Sequence, residues 1–192
     1  QVSIGQFYGI EINDFAVTVA KTALWIAESQ MMKETEDVVH MSLNFLPLKS
    51  YTNIAEGNAL EINWEDIIHK YQLSYIMGNP PFVGASMMTK QQKEQAVSIY
   101  GKIKLSNSID YVGAWYHKAA AYIDGTAIRV SFVSTNSIIQ GEQVAPLWDK
   151  LVNRYGVHID FAYRTFKCNS EASEKAAVHC VIIGFSQCIN HN

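Results

Sequence analysis

Residues 73–82 read Leu-Ser-Tyr-Ile-Met-Gly-Asn-Pro-Pro-Phe, and this stretch joins an apolar run to an Asn-Pro-Pro-Phe loop. The apolar run at 73–77, which is followed by Gly78, predicts a buried strand. Two consecutive prolines fix the backbone of the loop and remove two N–H donors. Because ligands of open α/β sheets bind outside the carboxyl ends of strands, the loop at 79–82 is the leading candidate for a functional site.

Segments typical of strands and of helices alternate along the rest of the chain. Further strands are predicted over 6–12, 50–54, 127–133, 157–166 and 176–185. Helices are predicted over 15–30, 65–71, 107–123 and 144–154, with a polar helix or loop over 89–100 and an irregular stretch over 35–48. The alternation predicts an α/β fold with a mainly parallel sheet and crossover helices. The last two strands have no helix between them and predict a C-terminal antiparallel β-hairpin at one edge.

Short polar residues stand near the predicted starts of two helices. Asn13, or its neighbour Asp14, is expected to cap the helix that follows, because a side-chain oxygen there can accept from a free N–H of the first turn. Ser108, or alternatively Asp110, likewise lies near the start of the helix over 107–123.

Composition limits the class of protein. The chain has 192 residues, of which 48% are apolar types and 17% are charged, and its net charge is −3. These values suit one domain, or one domain with a short appendage, with a hydrophobic core, and they exclude a disordered chain. No basic stripe is present, so bulk charge is not the means by which this segment would bind nucleic acid. No apolar run reaches the roughly 18 residues of a membrane span, and no membrane partner is expected.

The residue types that bind metals are scattered along the chain. Three cysteines and six histidines show no spacing typical of a zinc site. We therefore expect no metal and interpret the histidines as surface or strand residues. The cysteines also lack the pattern of a disulfide framework, which predicts a reduced, cytoplasmic setting.

The loop at 79–82 carries groups suited to one kind of ligand. The amide oxygen of Asn79 and the carbonyl oxygen of Pro80 are acceptors, Pro81 stiffens the loop, and Phe82 offers a flat apolar surface. Two acceptors beside an aromatic ring suit a planar ring that bears an exocyclic amine. Accepting both amine N–H groups localises the nitrogen lone pair and stabilises the positive charge that develops when the amine attacks. A plain Pro-Pro turn, with Asn79 as the turn residue, is the alternative.

The loop resembles motif IV of the S-adenosylmethionine-dependent amino-methyltransferases. Residues 7–12 (FYGIEI) resemble motif II of that family, and residues 57–60 (GNAL) resemble motif III. Residues 161–166 and 176–185 are similar to the sixth and seventh strands of the DNA adenine-N6 methyltransferases. The resemblance is strongest to the methylase part of large single-chain restriction–modification enzymes, and it implies a class I, Rossmann-like fold.

The resemblance also implies roles for individual residues. The catalytic positions are Asn79, Pro80, Pro81 and Phe82, and the positions that bind S-adenosylmethionine are Glu11, Ile12, Asn58 and Ala59. Glu11 would accept from the ribose hydroxyls, with a helix-initiating acid as the alternative. Asn58 replaces the aspartate common in motif III, and a Glu-Gly-Asn turn is its alternative reading.

The implied reaction transfers a methyl group to the N6 amine of an adenine flipped out of double-stranded DNA. The order of motifs resembles the γ arrangement, which implies a target-recognition domain beyond Asn192. Residues before Gln6 are too few for the family's first cofactor motif and its central first strand. We therefore expect residues 1–192 to form a partial catalytic domain that lacks this strand and binds the cofactor weakly. Its solubility would then rest on self-association or on another strand that fills the gap.

Other functions fit the same loop. Methyltransferases that act on guanine N2 in ribosomal RNA or on protein glutamine share a planar group bearing NH2. A non-catalytic methyltransferase-fold module is a further alternative. Tyr163, Arg164 and Lys167 would contact DNA or, alternatively, protect an edge strand with charge.

Overall fold

The computed structural model describes residues 3–40, 53–101, 108–168 and 178–187. Its strands are β1 (Gly9–Glu11), β2 (Ile54–Glu56), β3 (Tyr75–Gly78), β4 (Arg129–Thr135), β5 (Val157–Cys168) and β6 (Val178–Gln187). Its helices are α1 (Asp14–Val39), α2 (Lys90–Tyr100), α3 (Gly113–Tyr122) and α4 (Val144–Tyr155). The chain is therefore a mixed α/β protein, as predicted.

The chain divides into two compact units, Gln1–Ile68 and His69–Asn192. In the first unit, β1 and β2 pair in parallel, with Gly9 opposite Ile54. Helix α1 lies between these strands along the chain, as a parallel pair requires. The carboxyl ends of β1 and β2 consequently lie at the same edge of this small sheet.

The second unit contains a four-stranded sheet in the order β3-β4-β6-β5. Strands β3 and β4 are parallel, and β6 runs antiparallel between β4 and β5. The prediction of a mainly parallel sheet is therefore wrong for this sheet, because the C-terminal hairpin contributes two antiparallel pairs. Strands β5 and β6 form the predicted antiparallel hairpin, with β5 at the edge of the sheet, so that prediction is confirmed. Helices α2 and α3 separate β3 from β4 along the chain, which is the crossover connection that the alternating pattern indicates.

Tyr116 of α3 lies at the centre of the hydrophobic core of the second unit. Its ring stacks on Phe185 of β6 at 5.4 Å between ring centroids and meets Phe132 of β4 edge to face at 5.3 Å. Its hydroxyl shares a 2.9 Å hydrogen bond with the Ser134 hydroxyl, and burial raises the pKa of the tyrosine. Trp148 of α4 also packs on this ring. These contacts place α3 and α4 on one face of the sheet.

The prediction of a fully buried strand before the loop is wrong. Strand β3 comprises Tyr75–Gly78, and the side chains of Tyr75 and Met77 are 66% and 81% exposed. Successive side chains of a strand point to opposite faces. Ile76 and Gly78 therefore face the core, whereas Tyr75 and Met77 lie on the other face.

The boundaries of α1 also differ in part from the prediction. The helix continues to Val39, so the irregular stretch expected from 35 is wrong over 35–39. Residues 31–34 (Met-Met-Lys-Glu) are all strong helix formers, and neither glycine nor proline interrupts them. The predicted cap at Asn13 is confirmed, since its side-chain oxygen accepts from the backbone N–H of Ala16 at 3.0 Å.

Three other segments depart from the predicted elements. The helix expected over 65–71 is two separate 3₁₀ turns, Trp64–Asp66 and Lys70–Gln72. The polar segment over 89–100 is helical, with Thr89 as its capping residue. Helix α3 begins only at Gly113. Residues 41–52, 107, 176 and 177, which include parts of predicted elements, lie outside the described residues.

His117 departs from the expected surface or strand position. It lies in α3, is almost completely buried, and packs between the rings of Tyr100 and Tyr155. Burial, together with the nearby charges of Lys150 and Arg154, lowers the pKa of His117 to about 3. The imidazole is therefore neutral in the folded protein at physiological pH.

Candidate active site

The first unit brings Glu11 and the turn after β2 side by side. The backbone N–H of Gly57 donates to the backbone carbonyl of Glu11 at 2.8 Å. The Glu11 carboxylate accepts from the backbone N–H of Asn13 at 3.1 Å. Because β1 and β2 are parallel, Glu11 and the predicted cofactor residues Asn58 and Ala59 all lie at their carboxyl ends.

The turn that contains Asn58 is held by its own polar groups. The Asn58 side-chain oxygen accepts from the backbone N–H of Leu60 at 2.9 Å, so Asn58 is a turn residue. An amide oxygen accepts up to two hydrogen bonds, which makes this turn compatible with a ligand contact. The Ala59 carbonyl accepts from the indole N–H of Trp64 at 2.9 Å. Ile12, the remaining predicted cofactor residue, is 68% exposed directly after β1.

The second unit presents the Asn-Pro-Pro-Phe loop at the carboxyl end of β3. Asn79 and Pro81 are exposed, Pro80 is buried and Phe82 is half-buried. The Pro81 carbonyl accepts from the backbone N–H of Val83 at 3.1 Å. Buried Pro80 thus anchors the loop while the Asn79 amide faces solvent. The arrangement leaves a polar acceptor and part of an aromatic ring accessible at one strand end.

Asp110 holds the segment that directly follows this loop, a contact that the sequence analysis does not predict. Its carboxylate accepts from the backbone N–H of Ala85 at 2.8 Å, and the backbone N–H of Tyr111 donates to the carbonyl of Val83 at 2.9 Å. Helix α3 begins at Gly113, so Asp110 lies near the start of that helix as predicted, and Val112 at the N-cap position makes no side-chain capping bond. Since Ala85 and Asp110 are 25 positions apart, no local spacing signals this contact.

Two further observations concern classes of site. Within the described ranges, no group of three or more His, Cys, Asp or Glu side chains is arranged to hold a metal ion. Of the helices that the structure describes, none combines the length and the apolar character needed to cross a bilayer.

Tyr163 and Arg164 are exposed on β5, at the edge of the sheet. This position is compatible with contact to DNA and with protection of an edge strand by charge.

Comparison with known proteins shows which family and which proteins the chain resembles. Residues 1–192 match the family model described as "MmeI, DNA-methyltransferase domain". The chain is 43% identical over 187 residues to DNA methyltransferase A of Bacillus subtilis (strain 168), covering 96% of this chain and 21% of that protein. Its structure is similar to that of the Type IIL restriction-modification enzyme MmeI in complex with DNA, with a TM-score of 0.90 and 47% identity over 96% of this chain and 25% of that one. The chain thus spans about a fifth to a quarter of the length of these relatives.

Proposed function

This chain belongs to the MmeI DNA-methyltransferase domain family, and we propose that it transfers a methyl group from S-adenosylmethionine to the N6 amine of adenine in DNA, within a restriction–modification enzyme. The observation that carries the proposal is the Asn-Pro-Pro-Phe loop at the carboxyl end of β3, with Asn79 exposed and Pro80 buried. Similarity to MmeI, solved in complex with DNA, supports DNA over RNA or protein as the methyl acceptor.

The loop residues act on the amine of the adenine. The lone pair of an aryl amine is delocalised into the ring, so the amine is a weak nucleophile. The Asn79 amide oxygen and the Pro80 carbonyl accept its two N–H groups, which favours a tetrahedral nitrogen and stabilises the positive charge that develops there. Phe82 stacks on the base and holds it in line for attack. No strong base is needed before the attack, because the amine would lose its proton to solvent only after the new N–C bond has formed and the S–C bond of the cofactor has broken, which leaves S-adenosylhomocysteine.

The residues of the first unit fit S-adenosylmethionine. This cofactor supplies the methyl group as an electrophile bound to a sulfonium sulfur. The Glu11 carboxylate has the acceptor chemistry for two ribose hydroxyls, and it lies at a strand end beside the turn at Gly57. Asn58 and Ala59 frame the adenine of the cofactor from that turn, and Ile12 adds an exposed apolar side chain next to Glu11.

We assign the chain to the class I methyltransferase fold. The parallel pairs β1–β2 and β3–β4 support this assignment, as does the antiparallel insertion of β6 between β4 and β5. A target adenine must leave the duplex to reach such a loop, which costs a few kcal/mol of stacking and pairing energy. The net charge of −3 supports recognition of double-stranded DNA by a region other than residues 1–192.

The test uses the complete gene product that carries this chain. It is incubated with methyl-labelled S-adenosylmethionine and unmethylated bacterial DNA, and the DNA is digested to nucleosides. We expect the label in N6-methyladenine. DNA already methylated by the same protein is the control and takes up no label. Label in methylcytosine, in RNA guanine or in protein glutamine would contradict the proposal, as would absence of transfer.

A further inference from the structure

Asp110 lies in the turn before α3 and collects hydrogen bonds from three parts of the second unit. One carboxylate oxygen accepts from the backbone N–H of Ala85 at 2.8 Å. The other accepts from the Ser137 hydroxyl at 2.6 Å and from the side-chain NH2 of Gln143 at 2.8 Å. Three donors thus converge on one carboxylate, and no neutral side chain of this size offers as many acceptor sites.

The first part that Asp110 holds is the segment that follows Phe82. Ala85 donates to the Asp110 side chain, and Val83 accepts from the backbone N–H of Tyr111 at 2.9 Å. Asp110 and Tyr111 therefore hold Val83 and Ala85, which lie one and three residues after the end of the loop. The segment between Phe82 and Ala85 cannot shift without breaking one of these bonds.

The other side of Asp110 is anchored to the exit of β4 and the start of α4. Gln143 is buried and makes two hydrogen bonds to Asp110. Its side-chain NH2 donates to the Asp110 carboxylate, and its side-chain oxygen accepts from the backbone N–H of Asp110 at 2.9 Å. Ser137 shares a 2.7 Å hydrogen bond with the hydroxyl of Thr135, the last residue of β4. Since Ser137 donates to Asp110, Thr135 is the donor in that pair. The network ties the loop after β3 to the neighbouring strand end.

We propose that Asp110 is a positioning residue that fixes the Asn-Pro-Pro-Phe loop for methyl transfer. The proposal rests on the function proposed above. Asn79 is exposed, so its place is set by the backbone on either side: by β3 before it and by the bonds to Asp110 and Tyr111 after it. A displacement of about 1 Å at a reacting group costs roughly 100-fold in rate, which gives this support a direct effect on turnover.

Asp110→Asn in the complete gene product tests the assignment. The introduced amide has nearly the same shape but only one oxygen, so either the Ala85 N–H or the Ser137 and Gln143 donors lose their acceptor, and the anchor is lost. We expect kcat for DNA methylation to fall roughly tenfold or more, while S-adenosylmethionine affinity, measured by calorimetry, stays within about twofold. Amide exchange at Ala85 should quicken roughly tenfold, because its hydrogen bond is no longer held in place. Asp149→Asn makes the same substitution at an exposed aspartate that accepts a hydrogen bond from Asn153, and it should change none of these quantities.

A second substitution distinguishes positioning from a general loss of structure. In Asp110→Asn combined with Gln143→Glu, the introduced carboxylate accepts from the introduced amide, and the total charge is that of the wild type. We expect this pair to recover most of the lost kcat and the slow exchange at Ala85. Failure of the pair to recover either quantity would overturn the proposal.

Other outcomes are equally decisive. Unchanged kcat in Asp110→Asn, or an equal loss of kcat and of cofactor affinity, would overturn the positioning role. If that variant does not fold, Ser137→Ala removes a single donor and should lower kcat roughly 3- to 10-fold; an unchanged kcat would then overturn it. A wild-type protein that transfers no methyl to DNA contradicts the proposed function instead, and exchange at Ala85 then decides the positioning role without any activity.

Discussion

The backbone N–H of Gly57 donates to the backbone carbonyl of Glu11 at 2.8 Å. This bond extends the pairing of β1 and β2 by one step and places the backbone of Glu11 next to the turn that contains Asn58. Two segments that are more than 40 positions apart in sequence are thereby joined through their main chains. Changes in the turn should consequently affect binding through Glu11.

Glu11→Gln should weaken S-adenosylmethionine binding. The change keeps the shape of the side chain but replaces charge-assisted hydrogen bonds to the ribose hydroxyls by neutral ones, which are about half as strong. We expect the dissociation constant to rise roughly tenfold, as measured by calorimetry on the complete gene product. Glu56→Gln is the matched control, since Glu56 is exposed and lies opposite Glu11 in the strand register. Equal weakening by both variants would contradict the role of Glu11.

Gly57→Ala should loosen the turn beside Glu11. Gly57 has a φ of +148°, which L side chains rarely adopt, and an added Cβ would lie 2.5 Å from the Cδ1 atom of Ile62. Strain of this kind costs on the order of 1–3 kcal/mol. Amide exchange at residue 57 should quicken roughly 10- to 100-fold, and cofactor affinity should fall. Gly9→Ala is the control, because its added Cβ meets Ile54 at an ordinary 3.6 Å. Equal exchange in the two variants would refute the argument.

His117 should make the second unit less stable in mild acid. Its pKa is about 3 in the folded protein and about 6.5 in an unfolded chain. Between these values the unfolded state binds the extra proton, so stability falls as the pH drops below about 6.5 and falls further towards 3. The loss from pH 7 to pH 5 is about 2 kcal/mol. Urea unfolding at the two pH values, with amide exchange in α3 as a second measurement, gives this loss of stability.

His117→Phe removes the titrating group and keeps a ring between Tyr100 and Tyr155. The free energy of unfolding of this variant should therefore fall less between pH 7 and pH 5 than that of the wild type. His69→Phe, at an exposed position, should leave the pH dependence as it is. A variant at His117 with an unchanged pH dependence would show that this histidine is not the source of the effect.

Local patterns were enough to find the loop at Asn79 and the terminal hairpin. Proline geometry and the alternation of apolar residues act over a few positions, so the sequence displays them directly. The role of Asp110 depends on Ala85 and Gln143, which are 25 and 33 positions away. A helix-start interpretation explained the same aspartate equally well. The sequence could not predict the exposure of Met77 either, because that exposure depends on which face of β3 the helices cover.

The end of helix α1 also could not be located from the sequence. The apolar helix face predicts a helix over 15–30, yet the helix runs to Val39. The strong helix formers at 31–34 carry it past residue 30. The helix ends at His40, which has a φ of +52°, although the sequence has no glycine there to mark the stop.

Replacement of Asn79 by alanine tests the central claim most directly. The complete gene product and its Asn79→Ala variant are compared for methyl transfer to unmethylated DNA and for S-adenosylmethionine affinity, with Asn153→Ala on the exposed side of α4 as the control. We predict that transfer by Asn79→Ala falls by roughly 100- to 1,000-fold while cofactor affinity changes less than about twofold. Transfer at the wild-type rate, or an equal loss of transfer and of cofactor affinity, would contradict the account.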